Sequence, residues 1–269
     1  MIPLIVVPYH LAARDVEVGL GATRILDSLQ WLHQVVELPP ESPSDVDAVC
    51  AMNSRISCAV RGALSTNSRA LVVAGNCSTA SGTLAGMGAD RAGVIWFDAH
   101  GDFNTPETTV SGSIEGMALA VATGACHSGI RNAAGLATHV EESRVLLAGT
   151  RDLDPAERVR LEASPIGIVE SKGWTLDRFR KAAESTRAVS SGLYLHIDLD
   201  VVDPQLSPGV NFQAAGGLTP AQLLDAVELV ASWPELRAAA ITNYNPDRDP
   251  EGVTLRLALR LAAILGRSA

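Results

Sequence analysis

Val94-Ile95-Trp96-Phe97-Asp98-Ala99-His100-Gly101-Asp102 and Leu193-Tyr194-Leu195-His196-Ile197-Asp198-Leu199-Asp200 are two apolar runs that each end in closely spaced carboxylates. Runs this continuously apolar indicate strands buried on both faces, the signature of a parallel sheet with helices above and below. In such sheets ligands gather outside the carboxyl ends of the strands, where both acidic clusters fall. Side chains alternate along an extended strand, so Asp98, His100 and Asp102 are expected to project together, as are Asp198 and Asp200. Four converging carboxylates repel and raise one another's pKa unless cations sit among them. Two divalent ions would balance the four charges.

Outward from these runs, short β-branched segments alternate with helix-period segments along the whole chain. The strands expected are Ile2 to Val7, Val35 to Leu38, Ala70 to Ala74, Val94 to Asp98, Val145 to Ala148, Ile166 to Val169, Leu193 to Asp198 and Ala238 to Thr242. Helices are expected between them, including Val16 to His33, Asp45 to Leu64, Glu115 to Ala122, Leu176 to Glu184, Pro220 to Ser232 and Pro250 to Leu265. Thr219-Pro220 and Asp249-Pro250 each read as an N-cap followed by a first-turn proline. The expected architecture is a three-layer α/β/α sandwich around a mostly parallel, roughly eight-stranded sheet, with residues 1–269 forming a single unit. The loop from Gly101 to Ser113, rich in Thr, Pro, Ser and Gly, is a candidate substrate wall.

A hydrophobic content of 47% with 19% charged residues suits a well-buried enzyme core. The net charge of −9 argues against a nucleic-acid partner, which needs a Lys/Arg stripe, and favours a small molecule. No apolar run is long enough for a membrane span, and the N-terminal segment reads as a first strand without the basic region of a signal peptide. A cytoplasmic location is expected. Cys50, Cys58, Cys77 and Cys126 form no CxxC pair or secreted framework, and Cys50 and Cys58 read as buried small hydrophobes.

Four aspartates and His100 supply oxygen donors and one imidazole, a mixture suited to Mn²⁺ that tolerates Zn²⁺, Co²⁺ or Fe²⁺. A pair of such ions lowers the pKa of a shared water enough to deliver hydroxide near neutral pH. His196 shares the face of Asp198 and reads either as a partner orienting a ligand carboxylate or as a satisfied core histidine. Asp203 reads as a further orienting group. His10, His33, His127, His139 and Trp174 carry no comparable spacing and read as packing or surface residues.

Asp98-Ala99-His100-Gly101-Asp102-Phe103-Asn104 and His196-Ile197-Asp198-Leu199-Asp200-Val201-Val202-Asp203-Pro204 resemble the DAHxDxN and DxDxxDP signatures of the arginase or ureohydrolase superfamily. Ala74-Gly75-Asn76-Cys77-Ser78, where that family usually has Gly-Gly-Asp-His-Ser, and Gly216-Gly217-Leu218-Thr219 extend the resemblance over roughly residues 70–250. It implies a binuclear manganese site, trimeric or hexameric assembly, and hydrolysis of a C–N bond in a guanidino or related group by metal-bound hydroxide. The metal ligands it implies are Cys77, Asp98, His100, Asp102, Asp198 and Asp200, with Asp102 also orienting the nucleophile. The run from Asn104 to Gly112 resembles the loop holding the α-carboxylate of an amino acid, which implicates Asn104, Thr109 and Ser111, with Ser113 beside them. Arg151-Asp152-Leu153-Asp154 resembles the segment whose second aspartate, here Asp154, faces the α-amino group. Together these favour an α-amino acid over a decarboxylated amine.

Three residues depart from the family pattern. Cys77 stands at a histidine ligand position, so that ion is either held by thiolate, held weakly or absent, and a thiolate shifts preference toward softer metals such as Zn²⁺. Covalent nucleophile and inert packing are its alternatives, the former requiring an activating partner, for which His100 is the histidine expected nearby. Glu115 stands where arginases carry a proton-shuttling histidine, and reads as a catalytic acid or base or as a residue favoured at a helix N-terminus. Asn243 replaces the glutamate that contacts the guanidinium, and an amide supplies no counter-charge. The Pro208 to Ala215 loop also lacks the Gly-Thr-Gly-Thr-Pro run.

The cysteine and the His100 to Thr109 run resemble N-hydroxyarginine hydrolases, which release hydroxyurea and ornithine but retain the glutamate missing at Asn243. The reading is therefore a hydrolase of a linear C–N bond in an arginine-like amino acid, with N-hydroxyarginine as a named substrate. Its alternatives are a silent or regulatory protein of the same fold and a metal-dependent hydrolase of a non-guanidino amide.

Overall fold

Near-continuous apolar runs become the strands of one parallel sheet in the computed structural model, which describes residues 2–39, 44–67, 69–88 and 91–267. Met1, Ser268 and Ala269, part of the expected 1–269 unit, lie outside the described residues. The strands are β1 (Leu4–Val7), β2 (Tyr9–His10), β3 (Ala13–Arg14), β4 (His33–Val35), β5 (Ala70–Ala74), β6 (Ala92–Phe97), β7 (Val145–Ala148), β8 (Gly167–Val169), β9 (Gly192–Asp198) and β10 (Leu236–Thr242). The helices are α1 (Val18–Leu29), α2 (Asp45–Leu64), α3 (Ala80–Met87), α4 (Ala118–Ala122), α5 (Ser128–Ala134), α6 (Pro155–Glu162), α7 (Leu176–Ala188), α8 (Pro220–Ala231) and α9 (Val253–Leu265). Eight strands pair in the order β4-β1-β5-β10-β9-β6-β7-β8, all parallel. β2 and β3 form a separate antiparallel hairpin.

Strand alternation divides the core into two layers. Leu4, Val6, Leu71, Val73, Ile95 and Phe97 pack with α1, α7, α8 and α9 on one face. Ile5, Val7, Val72, Val94 and Trp96 pack with α2, α3, α4 and α6 on the other. The result is the expected three-layer sandwich. α2 has the expected bounds, with the Ser44 hydroxyl accepting from Asp47 N, and α8 begins with a capping box at Thr219-Pro220.

Several local expectations change. β4 is His33–Val35, two residues earlier than the apolar pattern indicates, because Leu4, Ile5 and Val6 pair with His33, Gln34 and Val35. It is a polar sheet-edge strand, and burial does not select apolar residues there. α1 stops at Leu29, where Gln30 turns left-handed at φ 51°. α9 starts after Gly252, but Asp249 still caps it from outside, accepting from Val253 N at 2.7 Å and Leu255 N at 2.9 Å. Cys58 is exposed and Cys50 only partly buried, because α2 buries the stripe through Ala48, Val49, Met52, Ile56 and Val60.

The central neighbours β5, β10, β9 and β6 lead into Asn76-Cys77, Asn243, Asp198-Asp200 and Asp98-Asp102 respectively. Sheet order thus brings four distant segments to one edge.

Candidate metal centre

The carboxylates converge through turns more than through strand alternation. β6 ends at Phe97, and Asp98 Oδ1 then accepts the His100 amide at 2.7 Å. Asp198 Oδ1 accepts the Asp200 amide at 2.9 Å, and Asn76 Oδ1 accepts the Ser78 amide at 3.1 Å. Asn and Asp favour this closure, in which the side chain bonds the backbone two residues on. The same turn therefore ends three adjoining segments and points their polar groups inward. Asp102 comes in at φ 48°, a left-handed conformation uncommon outside glycine, held because its carbonyl accepts from Leu119 N at 2.9 Å and Ala120 N at 3.1 Å.

Asp98, Asp102, Asp198 and Asp200 are all at most 5% exposed. His100 Nδ1 lies 3.2 Å from Asp98 Oδ1 and 3.1 Å from Asp200 Oδ2. Partial burial opposes the charge on His100, but Asp200 and Asp98 push its pKa up to about 12. Burial would raise Asp98, yet the His100 ring and amide hold it below the usual range. Burial and mutual repulsion push Asp102, Asp198 and Asp200 above that range. Asp102 Oδ2 is buried without a hydrogen-bond partner. Excess buried negative charge, an orphaned carboxylate oxygen and two groups of converging donors, Asp98-His100-Asp200 and Cys77-Asp98-His196, fit divalent cations.

Cys77 opens a short helical turn after β5. Its Sγ donates to Asp198 Oδ2 at 3.0 Å and lies 4.0 Å from Asp98 Oδ2. Burial, reinforced by the surrounding aspartates, holds the thiol well above its ordinary pKa within the protein alone. The histidine beside Cys77 is His196, Nε2 to Sγ 3.2 Å, and not the expected His100. His196 Nδ1 pairs with Tyr194 Oη at 2.8 Å. The ring is fully buried and stacks on Trp96 at 3.7 Å. Burial lowers its pKa to about 3, leaving it neutral. Asn243, at φ 68°, donates to Asp198 Oδ1 at 3.0 Å and Asp200 Oδ2 at 3.2 Å, and so bridges two carboxylates. Asp203 points elsewhere, accepting from Gln205 N at 2.9 Å and Gly216 N at 2.7 Å, and clamps the following loop.

Above the cluster a cavity of about 310 Å³ is lined by Cys77, Asp98, His100, Asp102, Asp198, Asp200 and Asn243 at its floor, and by Asn104, Ser111, Ser113, Glu115 and Asp154 on its walls. Its size suits a small molecule. Asn104 Nδ2 donates to Asp154 Oδ2 at 3.0 Å, coupling two of the expected recognition residues. Thr109 is not part of the lining; its hydroxyl accepts from Gly112 N at 3.0 Å and shapes the loop.

Glu115 begins a helical turn before α4 and also faces the cavity. Its Oε1 is 3.2 Å from His10 Nε2, while His10 Nδ1 is 3.1 Å from Glu17 Oε2. Glu115, with Glu17 behind it, raises the His10 pKa. His10 thus stands behind the cavity wall against Glu115, a role no local spacing signals. Three further lining groups were without an expected role. Asn76 Nδ2 is buried and unpartnered. Phe212 stands edge-on to His100 at 6.3 Å. Glu157 accepts from Phe103 N at 2.8 Å, and burial raises its pKa to about 7. Below the floor, Arg151 donates to the carbonyls of Asp200 at 2.7 Å, Ala214 at 2.8 Å and Val201 at 3.1 Å.

A parallel α/β/α sandwich with a buried carboxylate–imidazole cluster at its strand ends has the form of an α/β enzyme with a candidate cation-binding centre. The arginase-family model matches residues 15–266. An arginase of Bacillus caldovelox is 32% identical, the alignment covering 98% of this chain and 97% of the relative. An arginase of Bacillus subtilis (strain 168) is 33% identical, with 84% and 79% covered. The crystal structure of an arginase from Bacillus subtilis subsp. subtilis str. 168 superposes with a TM-score of 0.87 at 28% identity, covering 99% of this chain and 98% of the other. The chain belongs to the arginase family, and is a hydrolase of C–N bonds in linear amidines. Among the described residues no helix is long and apolar enough to cross a membrane.

Proposed function

We propose that this hydrolase acts on a guanidino-type α-amino acid whose head group is less basic than that of arginine, N-hydroxyarginine being the named candidate, with ornithine and hydroxyurea as products. The observation that carries the proposal is Asn243. Its amide is committed to Asp198 and Asp200, so it offers no counter-charge to a guanidinium. Of the carboxylates on the wall, Glu115 is already paired with His10.

Asp98, His100, Asp102, Asp198, Asp200 and Cys77 would hold two divalent cations, manganese being the expectation from the resemblance. Such ions supply a nucleophilic hydroxide near neutral pH by lowering the pKa of water. Asp102 Oδ2, without a partner in the protein, accepts a hydrogen bond from the attacking water and orients it. Asn104, Ser111 and Ser113 receive the α-carboxylate, while Asp154 receives the α-amino group. Glu115, with His10 behind it, delivers a proton to the departing nitrogen.

Turnover of arginine, N-hydroxyarginine, agmatine, guanidinobutyrate and formiminoglutamate with added Mn²⁺, followed by product analysis, tests the reading. N-hydroxyarginine is expected to lead, and silence on all five substrates overturns it. Glu115→Gln is expected to lower kcat about 10²–10⁴-fold, the range for loss of a general acid. Unchanged kcat and KM in this variant would remove Glu115 from the mechanism.

A further inference from the structure

His196 is absent from the ligand set that the sequence resemblance implies, yet it meets Cys77 from beneath the floor of the cavity. We propose that His196 is a direct ligand of the cation held by Cys77 and Asp98, so that one of the two positions carries a cysteine–histidine–carboxylate donor set. This rests on the reading of the centre as a cation site and adds to it a donor on β9.

Around a tetrahedral cation, with metal–sulfur near 2.3 Å and metal–nitrogen near 2.0–2.1 Å, neighbouring sulfur and nitrogen donors lie about 3.5 Å apart. His196 Nε2 is 3.2 Å from Cys77 Sγ, and Asp98 Oδ2 is 4.0 Å from the same sulfur. One donor atom from each of Cys77, Asp98 and His196 falls within a mutual 4.8 Å. A small movement brings all three to one ion.

The surroundings already fix the imidazole in the way a ligand requires. Metal-binding histidines usually commit the other ring nitrogen to a partner, and His196 Nδ1 has Tyr194 Oη at 2.8 Å. Trp96 stacks on the ring at 3.7 Å, while its Nε1–H donates to Asp98 Oδ2 at 3.0 Å. One indole therefore positions two of the three donors. Asp102 Oδ2, 95% or more buried with its residue and unpartnered, is a further oxygen without a protein hydrogen-bond donor in this cluster.

The two positions are consequently unlike. Thiolate and imidazole favour Zn²⁺, Co²⁺ or Cd²⁺ at the first, whereas Asp98-His100-Asp200 keeps the oxygen-rich character that suits Mn²⁺.

The test uses the full chain with all six histidines labelled with ¹⁵N and loaded with ¹¹³Cd²⁺. Metal–nitrogen scalar coupling is expected on two imidazoles, one of which persists in His100→Asn. Coupling on a single imidazole that His100→Asn abolishes overturns the proposal and leaves the cation centre standing. No bound cadmium by elemental analysis overturns the centre itself.

In a second arm, Co²⁺ titration of the wild type should give a sulfur-to-cobalt absorption band that Cys77→Ser removes. His196→Ala should weaken Co²⁺ binding by more than about 100-fold. A loss within about 10–100-fold, the effect of a residue that merely orients a ligand, or no loss, refutes direct ligation. Circular dichroism checks folding of the variants. If His196→Ala does not fold, the wild-type coupling decides.

Discussion

Asn243→Asp exchanges one NH₂ for an oxygen at nearly constant shape, and both residues tolerate the left-handed φ of 68°. The amide donates to Asp198 at 3.0 Å and Asp200 at 3.2 Å, so a carboxylate there meets two others at hydrogen-bond distance. In the native state it takes up a proton. Holding that proton above the unfolded pKa of about 3.9 costs about 1.4 kcal/mol per pH unit, or about 4 kcal/mol at pH 7 and about 1.5 kcal/mol at pH 5. The protonated acid keeps one donor where the amide has two, and the lost charge-assisted bond adds about 1.5–3 kcal/mol at either pH. Because the folded pKa is the raised one, the deficit opens above about pH 4 and widens with pH. Urea unfolding of chelator-treated wild type and variant should give a difference about 2.5 kcal/mol larger at pH 7 than at pH 5. Mn²⁺ should narrow it by screening the carboxylates. A deficit equal at both pH values, or none, would refute the view that Asn243 acts by bridging these acids.

Glu157→Gln removes a carboxyl whose pKa burial raises to about 7, and retains an oxygen for Phe103 N. The native glutamate is penalised increasingly between about pH 4.5 and 7, so the variant should gain up to about 3 kcal/mol at pH 8 and almost nothing near pH 4.5. Thermal unfolding across that range checks it. Arg151→Ala leaves several loop carbonyls without their donor and should cost about 3–5 kcal/mol in urea unfolding. A loss below about 1 kcal/mol, as for an exposed cation, would show that the guanidinium does not tie the loops beneath Asp200.

The elements legible in sequence were those whose periodicity burial enforces. β6 and β9 are apolar because helices cover both their faces, and α2 shows its start through Ser44 and its length through the stripe it buries. β4 lies earlier than Val35 to Leu38 because an edge strand pairing beside Leu4 to Val6 is selected by register and not by apolarity. The aspartates and His100 were legible through their spacing, although turns rather than an extended strand bring them together. Glu115–His10 and Cys77–His196 were not, since each joins single polar residues far apart in the chain, and only the strand order makes them neighbours. Arg151 was equally silent, because its partners are carbonyls that any sequence supplies.

Asn243 and the hidden Glu115–His10 pair bear on the same question of charge. Asn243 bridges Asp198 and Asp200 instead of presenting a carboxylate, and Glu115 has the His10 imidazole at 3.2 Å. The Glu115–His10 pair is therefore close to neutral when His10 is protonated, a state favoured by Glu115 and Glu17, which leaves Asp152, Asp154 and Glu157 as the other acids lining the cavity above the cluster. On the function proposed above, a fully charged guanidinium would leave water and meet no counter-charge from Asn243, whose neighbouring acids Asp198 and Asp200 are suited to divalent cations. Desolvating a charge without a partner is costly, whereas a head group of lower basicity enters without that penalty. Within the proposed function, Asn243 and the Glu115–His10 pair thus support the less basic substrate through the same residues that depart from the family pattern.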